Sequence, residues 1–262
     1  MSVLNTENVS ICFGGLKAVS GFNLQLEEGE LVGLIGPNGA GKTTIFNMLT
    51  GVYTPNEGKI QLNVNNNYQN LIGLKPYQIT RLGMARTFQN IRLFKELSVL
   101  DNVKIAYHFN VKYNVLEAIC RTHRFFWEEE EVSKKSLELL KLFNIDDKSA
   151  ELAKNLPYGE QRKLEITRAL ATNPRILLLD EPAAGMNPQE TQDLMKLIQF
   201  IREKFDLTIL LIEHDMNLVM GICERIVVLD YGQIIAVGNP ESIKNNPRVI
   251  KAYLGKEVET GA

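Results

Sequence analysis

An α/β protein, built on a mainly parallel sheet flanked by helices, is predicted by three features of the sequence. Four short aliphatic runs, at 31–35, 176–179, 208–212 and 226–229, offer almost no polar face, as strands buried on both sides of a parallel sheet do. Helical segments at 41–50, 161–171 and 189–204 alternate with them, and such alternation argues for strand–helix–strand crossovers. The first 30 residues and the stretch 57–64 read instead as short strands with turns. They place an N-terminal antiparallel β layer beside the main sheet.

The expected order along the chain is the antiparallel layer plus the first part of the core (1–90), an inserted helical subdomain (91–157), the second part of the core (158–246) and a C-terminal helical tail (247–262). The insertion is assigned because helical spacing takes over from about Leu93 to Phe143, with little strand signal. Its acidic run, Glu128 to Glu131, is read as a solvated helix face. No repeat or low-complexity segment interrupts this order. With 45% hydrophobic and 23% charged residues the composition is that of a globular protein, and 262 residues suffice for a large core. A formal charge of −2 lacks the basic excess of nucleic-acid binders, so no nucleic-acid partner is expected. No run approaches the ~18 apolar residues of a membrane span, and no secretory leader is recognised. Cys12, Cys120 and Cys223 lie far apart without CxxC pairing. With His108, His123 and His214 they form no metal-ligand spacing, so the expectation is buried or inert thiols in a cytosolic protein.

Two motifs carry chemistry. Gly36-Pro37-Asn38-Gly39-Ala40-Gly41-Lys42-Thr43-Thr44 follows the first aliphatic run and fits G-x-x-x-x-G-K-[ST] between a strand and a helix. The glycines let successive N–H groups curl around phosphate oxygens, and the helix N-terminus adds partial positive charge. Lys42 is expected to reach the β- and γ-phosphates, and Thr43 to offer its hydroxyl to Mg²⁺. The second motif, Asp180-Glu181, ends the run 176–179. Adjacent carboxylates at a buried strand end repel each other and lose hydration unless something positive, or some chemistry, employs them. Asp180 has the form of the acid that helps hold Mg²⁺, and Glu181 is placed to orient and deprotonate a water for attack on a γ-phosphate. The core is therefore predicted to be a P-loop NTPase. The loop alone fixes a ligand class, shared by kinases, GTPases, helicases and transport ATPases, and the GTPase sequence Asn-Lys-x-Asp is not seen.

Three further segments follow in order: Arg86-Thr87-Phe88-Gln89, Leu156-Pro157-Tyr158-Gly159-Glu160-Gln161-Arg162, and Leu211-Ile212-Glu213-His214-Asp215. With the P-loop and Asp180-Glu181, they resemble the ATP-binding-cassette ATPases over essentially the whole chain. The resemblance implies ATP and Mg²⁺ as ligands. It implies that Gln89 touches Mg²⁺ or the attacking water and relays the state of the site to the helical subdomain, and that His214 contacts the γ-phosphate. Phe13, before Gly14-Gly15, resembles the aromatic that stacks on adenine; a core phenylalanine is the alternative there. Pro157, Tyr158, Gly159, Glu160 and Gln161 are implied to cap the γ-phosphate bound by an opposite subunit. This segment departs from the usual Leu-Ser-Gly-Gly-Gln: Pro157 offers neither hydroxyl nor N–H, leaving the Gly159 amide and the helix N-terminus as donors. Asn187, in Ala184-Gly185-Met186-Asn187, stands where the family's dimer-contact loop has aspartate.

The same segments together with Asp180-Glu181-Pro182-Ala183-Ala184-Gly185-Met186-Asn187-Pro188 and the tail Asn246-Pro247-Arg248-Val249-Ile250-Lys251-Ala252-Tyr253-Leu254-Gly255 resemble one branch, the larger ATPase subunit of high-affinity branched-chain amino-acid importers. That resemblance implies a second, different ATPase subunit, two membrane-spanning permease subunits and, indirectly, an extracytoplasmic binding protein, with the chain peripheral on the inner face of the cell membrane. Both departures above suit a heterodimer; a homodimer is the alternative. Closure of the pair on MgATP would move the membrane subunits, through Gln89 and the apolar Ile91, Leu93, Phe94 and Leu97 after it, unless those four are subdomain core. The cargo, branched-chain amino acids or a related amide or urea, rests on resemblance alone. An ATPase for lipopolysaccharide export is a rival, which Pro157 and Tyr158 count against, and a soluble cassette without membrane partner is another.

Overall fold

The computed structural model describes residues 1–259, with the side chains of all of these except 110 and 254–259. Two compact units form: Met1–Arg86 together with the chain from Arg175 on, and Thr87–Pro174.

The first unit is the core. Its first part runs β1 (Ser2–Phe13), β2 (Leu16–Glu27), β3 (Leu31–Ile35), α1 (Lys42–Leu49), β4 (Glu57–Val64), β5 (Asn67–Asn70), α2 (Pro76–Arg81) and β6 (Met84–Arg86). β1, β2, β4 and β5 make an antiparallel sheet in the order β2-β1-β4-β5. In chain order the helical unit contributes α3 (Val99–Tyr107), α4 (Val115–Ile119), α5 (His123–Leu142) and α6 (Tyr158–Leu170). The core then resumes with β7 (Ile176–Asp180), α7 (Pro188–Phe205), β8 (Thr208–Ile212), α8 (Met216–Ile222), β9 (Arg225–Asp230), β10 (Gln233–Gly238), α9 (Pro240–Lys244) and α10 (Pro247–Glu259). The last three residues of the tail 247–262 lie outside the described residues.

The main sheet has the order β10-β9-β3-β8-β7-β6, parallel throughout except for β10. Every residue of β3, β7 and β8 is buried, which is why these strands show unbroken aliphatic runs. Alternate residues face opposite ways: Val32, Leu34, Ile176, Leu178, Leu210 and Ile212 join Ile45, Phe46 and Leu49 of α1 and the inner face of the antiparallel sheet in one apolar cluster. Gly33 faces α8 so closely that a Cβ there would sit 3.1 Å from Cys223 Sγ and 3.2 Å from Val219. Because β3, β8 and β7 are neighbours, the loops at their carboxyl ends converge along one edge, where ligands bind in open α/β sheets.

In the helical unit α3 packs against both α5 and α6. This corrects the expected boundary: residues 158–174 belong here and not to the second part of the core, because α6 buries its apolar side among helices. The acidic run is also only partly solvated. Glu128 is buried and accepts the amides of Lys112 (2.7 Å) and Tyr113 (3.4 Å), while Glu129 takes the Tyr113 hydroxyl (2.7 Å) and His108 Nε2 (2.6 Å). Among the cysteines, Cys223 is buried but Cys12 and Cys120 are exposed, so burial accounts for only one of the three thiols. No described helix is long and apolar enough to cross a membrane.

Candidate nucleotide-binding site

After β3 the chain turns back on itself at two glycines that only glycine suits. At Gly36 (φ +153°) a Cβ would stand 2.2 Å from the Leu229 carbonyl oxygen, and at Gly41 (φ +103°) 2.9 Å from that of Ala18. Gly41 is the N-cap of α1, without a side-chain cap. The first intrahelical bond runs from the Ile45 amide to the Gly41 carbonyl (3.0 Å), so the amides of residues 42–44 stand ahead of the ladder. With the loop amides they form an anion-binding concavity at a helix N-terminus. Lys42 is buried and folds back across the loop, Nζ donating to the carbonyls of Gly36 (2.7 Å) and Pro37 (3.1 Å). The loop opens on a cleft of about 280 Å³ lined by residues 16–18 and 38–44, Glu181 and Tyr231.

β7 delivers the two acids to this edge by different means. Asp180 is buried against Arg86, Nη2 to Oδ2 at 2.6 Å, with both side chains at most 6% exposed. Arg86 in turn donates through Nη1 to Asn47 Oδ1 (2.8 Å) and to Thr50 Oγ1 (3.3 Å), and lies over the Phe46 ring. The end of β7 is thereby tied to the P-loop helix. Glu181 follows in the left-handed region (φ +45°), its amide bonded to the Ile212 carbonyl at 2.9 Å. A non-glycine residue held there costs about 1–3 kcal/mol, strain that collects at functional sites. Here the turn puts the carboxyl of Glu181 into the cleft lining while Asp180 stays behind it.

His214, at the end of β8, sets Nδ1 3.8 Å from Glu181 Oε2 and 3.7 Å from Glu213 Oε2. Glu213 is wholly buried and accepts the amides of Ala183 (2.7 Å), His214 (3.0 Å) and Asp215 (3.4 Å). It staples the loop after β7 to the loop after β8. Burial pushes its carboxyl above the ordinary glutamate range, against the pull of these three amides. Sequence reasoning passed over both Arg86 and Glu213 although both stand inside quoted segments. The signal for Arg86 was available: a carboxylate buried at a strand end needs a countercharge.

The P-loop, Asp180, Glu181 and His214 are thus gathered at the carboxyl edge of the core unit. Phe13 is exposed on the β1–β2 hairpin, edge-on to Tyr53 at 5.2 Å, and is not among the residues lining the cleft. For Mg²⁺ the donor chemistry fits: a threonine hydroxyl in the lining, a buried carboxylate beside it in sequence with Glu181, and hard oxygen ligands throughout.

Gln89 and the segment 157–161 belong to the helical unit. Pro157 is the N-cap of α6, and the first helical bond runs from the Gln161 amide to its carbonyl (2.9 Å), which puts the amides of Tyr158, Gly159 and Glu160 ahead of the ladder. Glu160 is paired with Lys148 (2.7 Å to Oε2), and Gln161 Nε2 donates to the Leu156 carbonyl (2.8 Å). Of the apolar residues after Gln89, Phe94 is exposed, with the Arg168 guanidinium over its ring, while Ile91, Leu93 and Leu97 are half-buried. Asn187 is the N-cap of α7, accepting the Glu190 amide (3.0 Å) while Glu190 Oε2 accepts its own (2.9 Å).

Residues 19–184 match the ABC transporter family, and residues 233–259 match the branched-chain amino acid ATP-binding cassette transporter family. The chain is 47% identical to the high-affinity branched-chain amino acid transport ATP-binding proteins BraF of Pseudomonas aeruginosa and LivG of Escherichia coli K12, covering 97% of this chain and 98% of each of them. It is 34% identical to the lipopolysaccharide export system ATP-binding protein LptB of Haemophilus influenzae, over 98% of this chain and 99% of that one. A solved ATP-binding cassette of an ABC transporter in its ADP conformation superposes with a TM-score of 0.83 at 31% identity, covering 97% of this chain and 99% of that one. With a P-loop, paired acids and histidine on a cassette fold, and matches that run the length of these relatives, the chain belongs to the ABC transporter family as one of its ATP-binding subunits.

Proposed function

We propose that the chain is the ATP-hydrolysing subunit of an ABC importer of branched-chain amino acids, peripheral on the cytoplasmic face of the cell membrane. The observation that carries the chemistry is Glu181 in the lining of the phosphate cleft with His214 Nδ1 3.8 Å from its carboxylate. The amides of the P-loop and Lys42 bind the terminal phosphates. Glu181 takes the proton of the attacking water, and His214 steadies the γ-phosphate beside it. Thr43, Asp180 and Gln89 would hold Mg²⁺, which supplies charge neutralisation on the phosphates. Adenine would extend toward the β1–β2 hairpin, where Phe13 is exposed for stacking.

Kinship supports the cargo: the relatives at 47% identity are named for high-affinity branched-chain amino acid transport, whereas the lipopolysaccharide exporter subunit stands at 34%. The partners in this reading are a second, different cassette ATPase, two membrane-spanning permease subunits and, through them, an extracytoplasmic binding protein. Nucleic acid has no part in it. Glu181→Gln keeps the shape and removes the base. ATP hydrolysis is expected to fall at least about 100-fold while ATP affinity stays within a few-fold. Turnover at the wild-type rate in that variant would show that another group deprotonates the water.

A further inference from the structure

Two charged residues of α6 lie wholly inside the helical unit. Arg162 is 0% and Glu165 2% exposed, joined Nη1 to Oε2 at 2.7 Å. A buried ion pair is weak evidence of stabilisation, since two apolar side chains of similar volume commonly serve as well. This one even leaves Arg162 Nε without a partner among the described atoms.

The pair spends its remaining valences on a stretch of main chain more than 70 residues away. Arg162 donates to the carbonyls of Phe88 (2.7 Å) and Gln89 (2.9 Å), and Glu165 Oε1 accepts the amides of Phe88 (3.4 Å) and Arg92 (3.1 Å). Arg92 lays its guanidinium over the Phe88 ring at 4.1 Å, closing the segment on itself. Three residues of main chain are therefore hung from one turn of α6. That turn begins at the 157–161 segment, since Arg162 Nη2 also lies 3.4 Å from the Tyr158 hydroxyl.

We infer that Arg162 and Glu165 are positioning residues that clamp the 88–92 segment to the start of α6, so that Gln89 and the 157–161 segment answer to nucleotide as one body. The inference rests on the ATPase reading above for the nucleotide, but the clamp itself does not. A planar fork is what the task requires: one guanidinium reaches two successive carbonyls and a carboxylate at once, which an ammonium cannot do.

The test is amide hydrogen exchange of the full chain, with and without MgATP. It compares the wild type with Arg162→Met/Glu165→Met, whose unbranched apolar side chains keep the interior filled. Glu165→Gln, which retains an acceptor oxygen, is the second variant should the double one fail to fold. Without nucleotide, exchange at the Phe88 and Arg92 amides is expected to rise at least about tenfold in the double variant, and less in Glu165→Gln. With MgATP, the wild type is expected to gain protection at both 88–92 and 157–161. In the double variant the response at 157–161 disappears while the MgATP Kd stays within about twofold, because the P-loop is untouched. A merely structural pair would alter stability without uncoupling the two responses. Unchanged exchange at Phe88 and Arg92, or a wild type whose 157–161 segment ignores MgATP that it binds, would overturn the clamp. A wild type that binds no MgATP would sink the ATPase reading, and the nucleotide-free comparison would still decide the clamp.

Discussion

Glu181 and His214 face the cleft, yet the residue that fixes them touches no substrate. Glu213 sits buried between the loops after β7 and β8 and holds three of their amides. Its raised pKa has a consequence that can be measured. A carboxyl raised above its ordinary value of 4.5 contributes stability that is complete below that value and is lost as pH climbs through the raised one. Glutamine keeps an acceptor oxygen but does not titrate. Thermal unfolding across about pH 4 to 8 should therefore show the wild type losing ground to Glu213→Gln as pH rises. A stability difference flat over that range would mean that the buried carboxyl binds no more protons folded than unfolded. Arg86 works in a related way, as the countercharge that lets Asp180 remain buried 2.6 Å away. Removing one member of such a pair leaves an uncompensated charge, which is far more costly than replacing both.

Among the elements, α7 shows how a departure from the family pattern can have a local reason. Asn187 and Glu190 form a reciprocal capping box, each side chain taking the other's amide. Asparagine and aspartate cap about equally well, so Asn187→Asp should leave the denaturation midpoint nearly unchanged, while Asn187→Ala should cost about 1 kcal/mol in chemical unfolding. Equal losses in the two variants would mean that the cap is not what the side chain supplies. The strands β3, β7 and β8 were legible in the sequence because burial on both faces removes every polar position. The P-loop was legible because glycine spacing reports backbone geometry directly. The limit of the helical unit was not: a 3.6-residue period says that α6 has an apolar side but not which helices cover it. The acidic run misled for a similar reason, since periodicity does not reveal that Glu128 serves the amides of Lys112 and Tyr113. Arg86 and its carboxylate stand 94 positions apart, and nothing local marks such a pair.

On the scale of the whole molecule, the open contrast is between the site this chain builds for itself and the one it completes in a partner. Its own site has the loop amides, Lys42, Glu181 and His214 in place. What it offers a partner is the start of α6, where Pro157 lacks the hydroxyl that serine would supply and where Glu160 and Gln161 are bonded within the helical unit. Only main-chain amides and the helix terminus remain to meet a γ-phosphate. Two copies of the chain would pair two such reduced segments, whereas a second cassette with a serine at that position would restore one full set of donors. Light scattering on Glu181→Gln, which retains nucleotide, separates the cases. With MgATP the chain alone is expected to keep its monomer mass of 29.6 kDa and to dimerise only when the second ATPase subunit is added. A doubled mass from the chain alone would show that the amides of 158–160 suffice to cap the phosphate, and the transporter would then be built on a homodimer.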